Sequence, residues 1–163
     1  MHRIFRNKAA GLLSFFFISS CSFATSKGSI GLAIKQTGDS PVVCLAAADE
    51  NGNQPVRIHF VGVSHATGSF GSESYWQVEV PESSKPLYLK RGECLTYGQA
   101  IAGANILTEP KKLQPGVLYG IGLVPYDADA GFVYGANFCL MRQPNGKLKV
   151  VDPAIERGVC PAR

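Results

Sequence analysis

The sequence is poor in charge. Asp, Glu, Lys and Arg make up 17% of its 163 residues, against about 25% in an ordinary soluble domain. After the apolar run near its start it has no second one, which excludes a further membrane-spanning helix of about 20 residues. No segment of about 10–12 residues shows the 3.6-residue apolar periodicity of a buried helix face, so a helix bundle is excluded. There is no Cys-x-x-Cys pair and only three histidines are present, so a zinc site lacks ligands. A Gly-x-Ser-x-Gly elbow is missing; Gly62-Val63-Ser64-His65-Ala66 is a partial echo of one. Ser64 and His65 are adjacent on a strand end, so their side chains point to opposite faces and cannot act as a nucleophile and its base. Thr67-Gly68-Ser69-Phe70-Gly71 is not followed by the Lys-Ser/Thr of a phosphate loop. Asp127-Ala128-Asp129-Ala130-Gly131 carries two alternating carboxylates but lacks the third acid and the bidentate glutamate of a calcium loop. With no constellation that builds a reaction, no catalytic residue, metal ligand or cofactor is expected. The chain does not read as an enzyme.

What is present begins with an address. Arg3, Arg6 and Lys8 precede the apolar run Ala9 to Ile18, and small residues follow. A basic start, a short apolar stretch and a small-residue exit describe a bacterial-type secretory signal peptide. Two cleavage readings stand. Ile18-Ser19-Ser20-Cys21 resembles a lipobox, which makes Cys21 the acylated residue; Ser22 behind it lacks the aspartate of inner-membrane retention, which favours the outer membrane. Alternatively Ser22-Phe23-Ala24 supports ordinary cleavage after Ala24 and a soluble periplasmic product. Either way Arg3, Arg6 and Lys8 leave with the leader. The 16 basic residues fall to 13 against 12 acidic ones, so the formal +4 shrinks to about +1. A near-neutral chain has no electrostatic case for nucleic acid. Membrane contact is expected only through an N-terminal lipid.

Both readings also leave four of the five cysteines: Cys44, Cys94, Cys139 and Cys160. An even set in an exported chain predicts two disulfides. Sequence does not choose among the three pairings, although linking neighbouring segments favours Cys44–Cys94 with Cys139–Cys160.

The rest is turn-rich and alternates with period two. Eighteen glycines and ten prolines punctuate short apolar stretches, the pattern of strands between turns. Ile30, Leu32 and Ile34 share a face, and 42–47 is an apolar run suited to a central strand. Val56, Ile58 and Phe60 alternate with Arg57, His59 and Val61. Residues 64–74 read as a Gly/Ser-rich loop. Trp76, Val78 and Val80 then face a core, while Tyr75, Gln77 and Glu79 face water. Leu87 and Leu89, Cys94 to Tyr97, Val117 to Leu123 and Phe132 to Leu140 add further strands. Pro144-Asn145-Gly146 turns the chain into Leu148 and Val150. Residues 98–112 are ambiguous and compatible with a short helix at 99–104. The expected architecture is an all-β, antiparallel β-sandwich of seven or eight strands, immunoglobulin- or fibronectin type III-like. Residues 1–21 are the signal peptide, 22–29 a linker and 30–163 one domain with a disulfide-tied tail. Leu113-Gln114-Pro115-Gly116-Val117-Leu118-Tyr119 matches a tyrosine corner, in which Pro115 and Gly116 turn the chain and the Tyr119 hydroxyl bonds back to upstream backbone.

Several pieces together resemble a known family. They are Cys21 after a short leader, Val42-Val43-Cys44-Leu45, Trp76-Gln77-Val78-Glu79-Val80, Gly92-Glu93-Cys94-Leu95, Pro115-Gly116-Val117-Leu118-Tyr119 and Asn137-Phe138-Cys139-Leu140. The pattern, spread over 40–151, resembles the small envelope lipoproteins grouped as type VI secretion immunity periplasmic lipoproteins. The lipobox and the Cys160 tail depart from it. The resemblance implies a protein partner, a secreted toxin neutralised by binding. The alternative is a structural or assembly accessory protein of an envelope secretion or surface-fibre system. Candidate contacts are loop residues and their neighbours: His65, Phe70 and Tyr75 in one region, Tyr126, Asp127 and Asp129 in another.

Overall fold

Strict alternation of apolar with small or polar residues puts successive side chains on opposite faces of an extended backbone. The computed structural model of the protein describes residues 30–46, 54–68, 71–126, 133–151, 153 and 160. Among these are ten strands and no helix: β1 (Ile30–Thr37), β2 (Ser40–Leu45), β3 (Val56–Ala66), β4 (Ser72–Glu79), β5 (Leu87–Leu89), β6 (Cys94–Thr96), β7 (Asn105–Thr108), β8 (Leu118–Pro125), β9 (Tyr134–Arg142) and β10 (Leu148–Val151). They form one mixed, curled sheet in the order β6-β2-β1-β9-β8-β3-β4-β7, with β10 added to β9 and β5 to β3.

The chain is all-β, as its alternation predicts. The regular antiparallel sandwich of seven or eight strands is not what forms. β1 begins parallel to β9, with Ile30 beside Tyr134 and Gly31 beside Gly135. From Leu32 onward it pairs antiparallel with β2 instead. One strand thus serves two neighbours, and periodicity says nothing about which neighbour a strand takes. The Gln36 side chain ties the same strand to β10: its Nε2 donates to the Leu148 carbonyl at 2.8 Å, and the Val150 N–H donates to its Oε1 at 2.8 Å.

Curling brings Leu32, Val43, Leu45 and Leu95 from β1, β2 and β6 into one core cluster with Ile58, Val61, Val63, Trp76, Tyr119 and Phe138 from β3, β4, β8 and β9. Fully burying a side chain such as Phe138 stabilises the fold by roughly 1.5–3 kcal/mol. Gly38, with φ +60°, opens the two-residue turn that joins β1 to β2, where a first central residue of positive φ is needed. Two disulfides bind the frame. Cys44 joins Cys94 across β2 and β6, and Cys139 of β9 joins Cys160.

Two bulges break the alternation. In the pairing of β3 with β8, Ile58 faces Pro125 and Phe60 faces Val124, so His59 is an extra residue. Val61 and Val63 therefore turn inward and are fully buried, and Phe60 turns outward, the reverse of the expected parity. In the pairing of β3 with β4, Val63 faces Trp76 and Ser64 faces Ser74, which leaves Tyr75 as the extra residue. A bulge re-aims its residue, and both Tyr75 and Trp76 are buried. The expected loop at 64–74 is mostly strand, because Ser64, His65 and Ala66 pair with Ser74, Glu73 and Ser72. Within 98–112 there is no helix; the chain makes turns and then β7.

Candidate functional site

The outer face of the sheet carries a row of glycines. Gly62 on β3 faces Gly122 on β8, Gly122 faces Gly135 on β9, and Gly135 faces Gly31 on β1. A second row, Ser64, Gly120 and Asn137, lies beside it. Four strands thus run past one another with almost no side chain between backbone and solvent. The result is a groove of about 480 Å³, walled by Phe60, Val133, Gln77, Ser64 and Asn137. Among the described residues no charged side chain lines it. What the groove presents to a ligand is its shape, exposed backbone and the Ser64, Gln77 and Asn137 side chains. The Gln77 Oε1 already accepts a bond from the Thr108 hydroxyl at 3.0 Å.

Gly31 and Gly122 are not required by the chain itself. None of Gly31, Gly62, Gly120 and Gly122 has a positive φ. A Cβ on Gly31 would meet nothing within 4 Å, and one on Gly122 only the Tyr134 carbonyl at 3.8 Å. Glycine within a strand costs roughly 0.5–1 kcal/mol relative to alanine. Glycine inside a strand commonly marks a bulge, a tight bend of the sheet, or close approach by another backbone or a ligand. Gly62 differs, because the Phe60 ring lies over it and a Cβ would come within 2.7 Å of that ring. The His59 bulge aims Phe60 there.

The residues singled out from sequence fall elsewhere. Tyr75 does not face water: it is buried, its ring edge-on to Tyr119 at 4.9 Å, and its carbonyl accepts from the Tyr97 hydroxyl at 2.9 Å. His65 is half-buried; its Nδ1–H donates to the Leu118 carbonyl at 2.9 Å, which ties β3 to β8. Tyr126 is half-buried at the far end of β3 from His65. Its hydroxyl donates to the Val80 carbonyl, and the Arg57 guanidinium covers its ring at 4.2 Å. These three therefore do not form one surface. Phe70, Asp127, Asp129 and Cys21 lie outside the described residues.

At the corner before β8, Gly116 has φ +81° and its N–H donates to the Leu140 carbonyl at 2.7 Å. The Tyr119 hydroxyl oxygen accepts from the Gln114 N–H at 2.8 Å, and the ring stacks on Phe138. Burial pushes the Tyr119 hydroxyl up to about 12 and also raises that of Tyr97. Among the described residues no three His, Cys, Asp or Glu side chains converge as metal ligands.

Sequence reasoning passed over the groove residues. The signal was Gly120-Ile121-Gly122 inside a strong strand, with Gly62 and Gly135 in two others. No protein-family model matches the chain, no curated protein matches it, and no solved structure matches its fold. The likeness to the immunity lipoproteins rests on the short motifs alone.

Proposed function

We propose that this protein is an exported, lipid-anchored binding protein of the type VI immunity kind, which neutralises a toxic effector by occupying it. The observation that carries the reading is the glycine row across β3, β8, β9 and β1, in which Gly31 and Gly122 stay bare although each has room for a Cβ. A partner whose backbone or ring lies across that row gains contact with main chain on several strands at once. The two disulfides fit an oxidising compartment. They also stiffen the curled sheet as a support, so that little ordering entropy is lost on binding. In this reading Cys21 carries the lipid and the domain faces the periplasm.

The test is competition between siblings. Deleting the gene sensitises cells to siblings with an active type VI secretion system, and the wild-type gene restores resistance. Gly122→Leu, which fills the groove floor, is exported and folded yet fails to restore it. Unchanged fitness of the deletion strain would overturn the reading. Cys21→Ala releases the protein from the membrane fraction if the lipid is its anchor.

A further inference from the structure

One margin of the sheet, at β7, lacks within the strand the charge and proline that commonly guard an edge. β7 pairs with β4 on one side and, among the described residues, with no strand on the other. An open edge offers N–H and C=O groups to an incoming strand, and proteins usually guard it with charge or proline. Here residues 94–108 contain no Asp, Glu, Lys, Arg or Pro. Leu107 is the extra residue of a bulge and has no partner on β4. Ile106 and Leu107 are 55% and 56% exposed.

Beside this edge is a cavity of about 290 Å³. Trp76 and Val78, both buried in the core cluster, form its floor; Ile101, Ile106 and Pro110 are apolar parts of its wall. Ile106 faces Val78 across the ladder and so shares its inward side. A strand added outside β7 would direct the side chain opposite Ile106 to that same side, over the cavity. Glu109 also lines the cavity, and its carboxylate makes no ion pair among the described residues.

We infer that β7 and this cavity are a strand-addition site. The occupant is an extended segment of another polypeptide, placing an apolar side chain over Trp76 and Val78 and a lysine or arginine beside Glu109. Main-chain bonds supply affinity and the cavity selects the side chain, as in other β-augmentation sites. This site lies on the inner flank of the sheet, away from the glycine groove, and does not depend on the function proposed above.

The probe is a fluorescent seven-residue peptide that alternates valine and threonine, with a central phenylalanine and a lysine at each end. It binds the intact exported chain saturably and shifts backbone amide resonances within 98–109. Replacing the central phenylalanine by aspartate, methylating alternate backbone nitrogens, or exchanging the lysines for glutamates each weakens binding by at least about tenfold. Ile106→Lys and Leu107→Pro do the same, with Ile106→Lys as the control should proline disturb folding, whereas Gly122→Leu leaves binding unchanged. Absence of saturable binding overturns the inference, as does indifference to backbone methylation. A concentration-dependent dimer that Ile106→Lys abolishes and the peptide does not displace would overturn it too, because a second copy would then hold the edge.

Discussion

β8 and β3 are neighbours in the middle of the sheet and are built differently. β8 alternates without a break: Tyr119, Ile121, Leu123 and Pro125 are buried, and Gly120, Gly122 and Val124 lie on the outer side. β3 pairs through two irregularities, one at His59 against β8 and one opposite Tyr75 on β4. The regular strand supplies the groove with a flat, bare floor. The bulged pair supplies relief, sending Phe60 out to wall the groove and Tyr75 in to fill the core. A sheet of regular strands would have the floor without the wall. The groove therefore depends on the contrast between the two strands, and substitutions that distinguish them test it.

The largest effect is expected at Tyr75. If the bulge buries it, Tyr75→Ala removes a core aromatic and costs about 3–5 kcal/mol, the range for large aromatics cut to alanine. If instead β4 were regular and Tyr75 faced water, the cost would stay within about 0.5 kcal/mol. Urea denaturation with an unchanged m-value separates the two cases. The adjacent pair Phe60 and Val61 gives the second test. Val61→Ala should cost about 2 kcal/mol because Val61 is fully buried, whereas Phe60→Ala, on the outer face, should cost less than about 1 kcal/mol. The reverse order would mean that β3 keeps the parity of its sequence and that the His59 bulge is absent.

These two places also mark where the sequence stops being readable. β8 and β9 could be read by parity: Tyr119, Ile121, Leu123, Tyr134, Phe138 and Leu140 are buried as alternation requires. A bulge adds one residue and inverts every assignment beyond it. Nothing in Arg57-Ile58-His59-Phe60-Val61 announces such an insertion. Pairing is similarly hidden. The parallel start of β1 beside β9 and the meeting of Gly62, Gly122, Gly135 and Gly31 in one row are properties of register between distant segments. Each glycine was visible singly; their alignment was not. Candidate contacts chosen for being near loops missed the groove because it lies on the sheet face.

On the regular strand, Tyr119→Phe should cost about 1 kcal/mol, since the Gln114 N–H loses its acceptor. The pH dependence has a definite sign. The folded-state hydroxyl is pushed up to about 12 from an ordinary 10.0, so the folded chain holds its proton where the unfolded chain releases it. The stability from this residue is complete below pH 10 and declines as pH rises from 10 towards 12. Tyr119→Phe should make the alkaline decline shallower, as read by melting temperature across that window. Equal slopes for the two proteins would mean that the hydroxyl is solvated in the folded chain and not buried.

The smallest change in stability carries the most information about function. Gly122 lies on the floor of β8, has an ordinary φ, and has room for a Cβ with its nearest contact at 3.8 Å. Gly122→Ala should therefore stabilise the protein by roughly 0.5–1 kcal/mol, because the unfolded chain loses freedom and the strand gains propensity. A glycine kept for folding would give a loss instead. One kept for a partner should give a gain in stability together with weaker binding, since the new methyl group holds the partner off the backbone. Gly31→Ala, which has nothing within 4 Å of its new Cβ, should behave the same way at the end of the row. If both variants are more stable and both still protect cells against siblings, the bare row is not the surface that meets the effector. The loops beyond β3 and β8 would then be the next place to look.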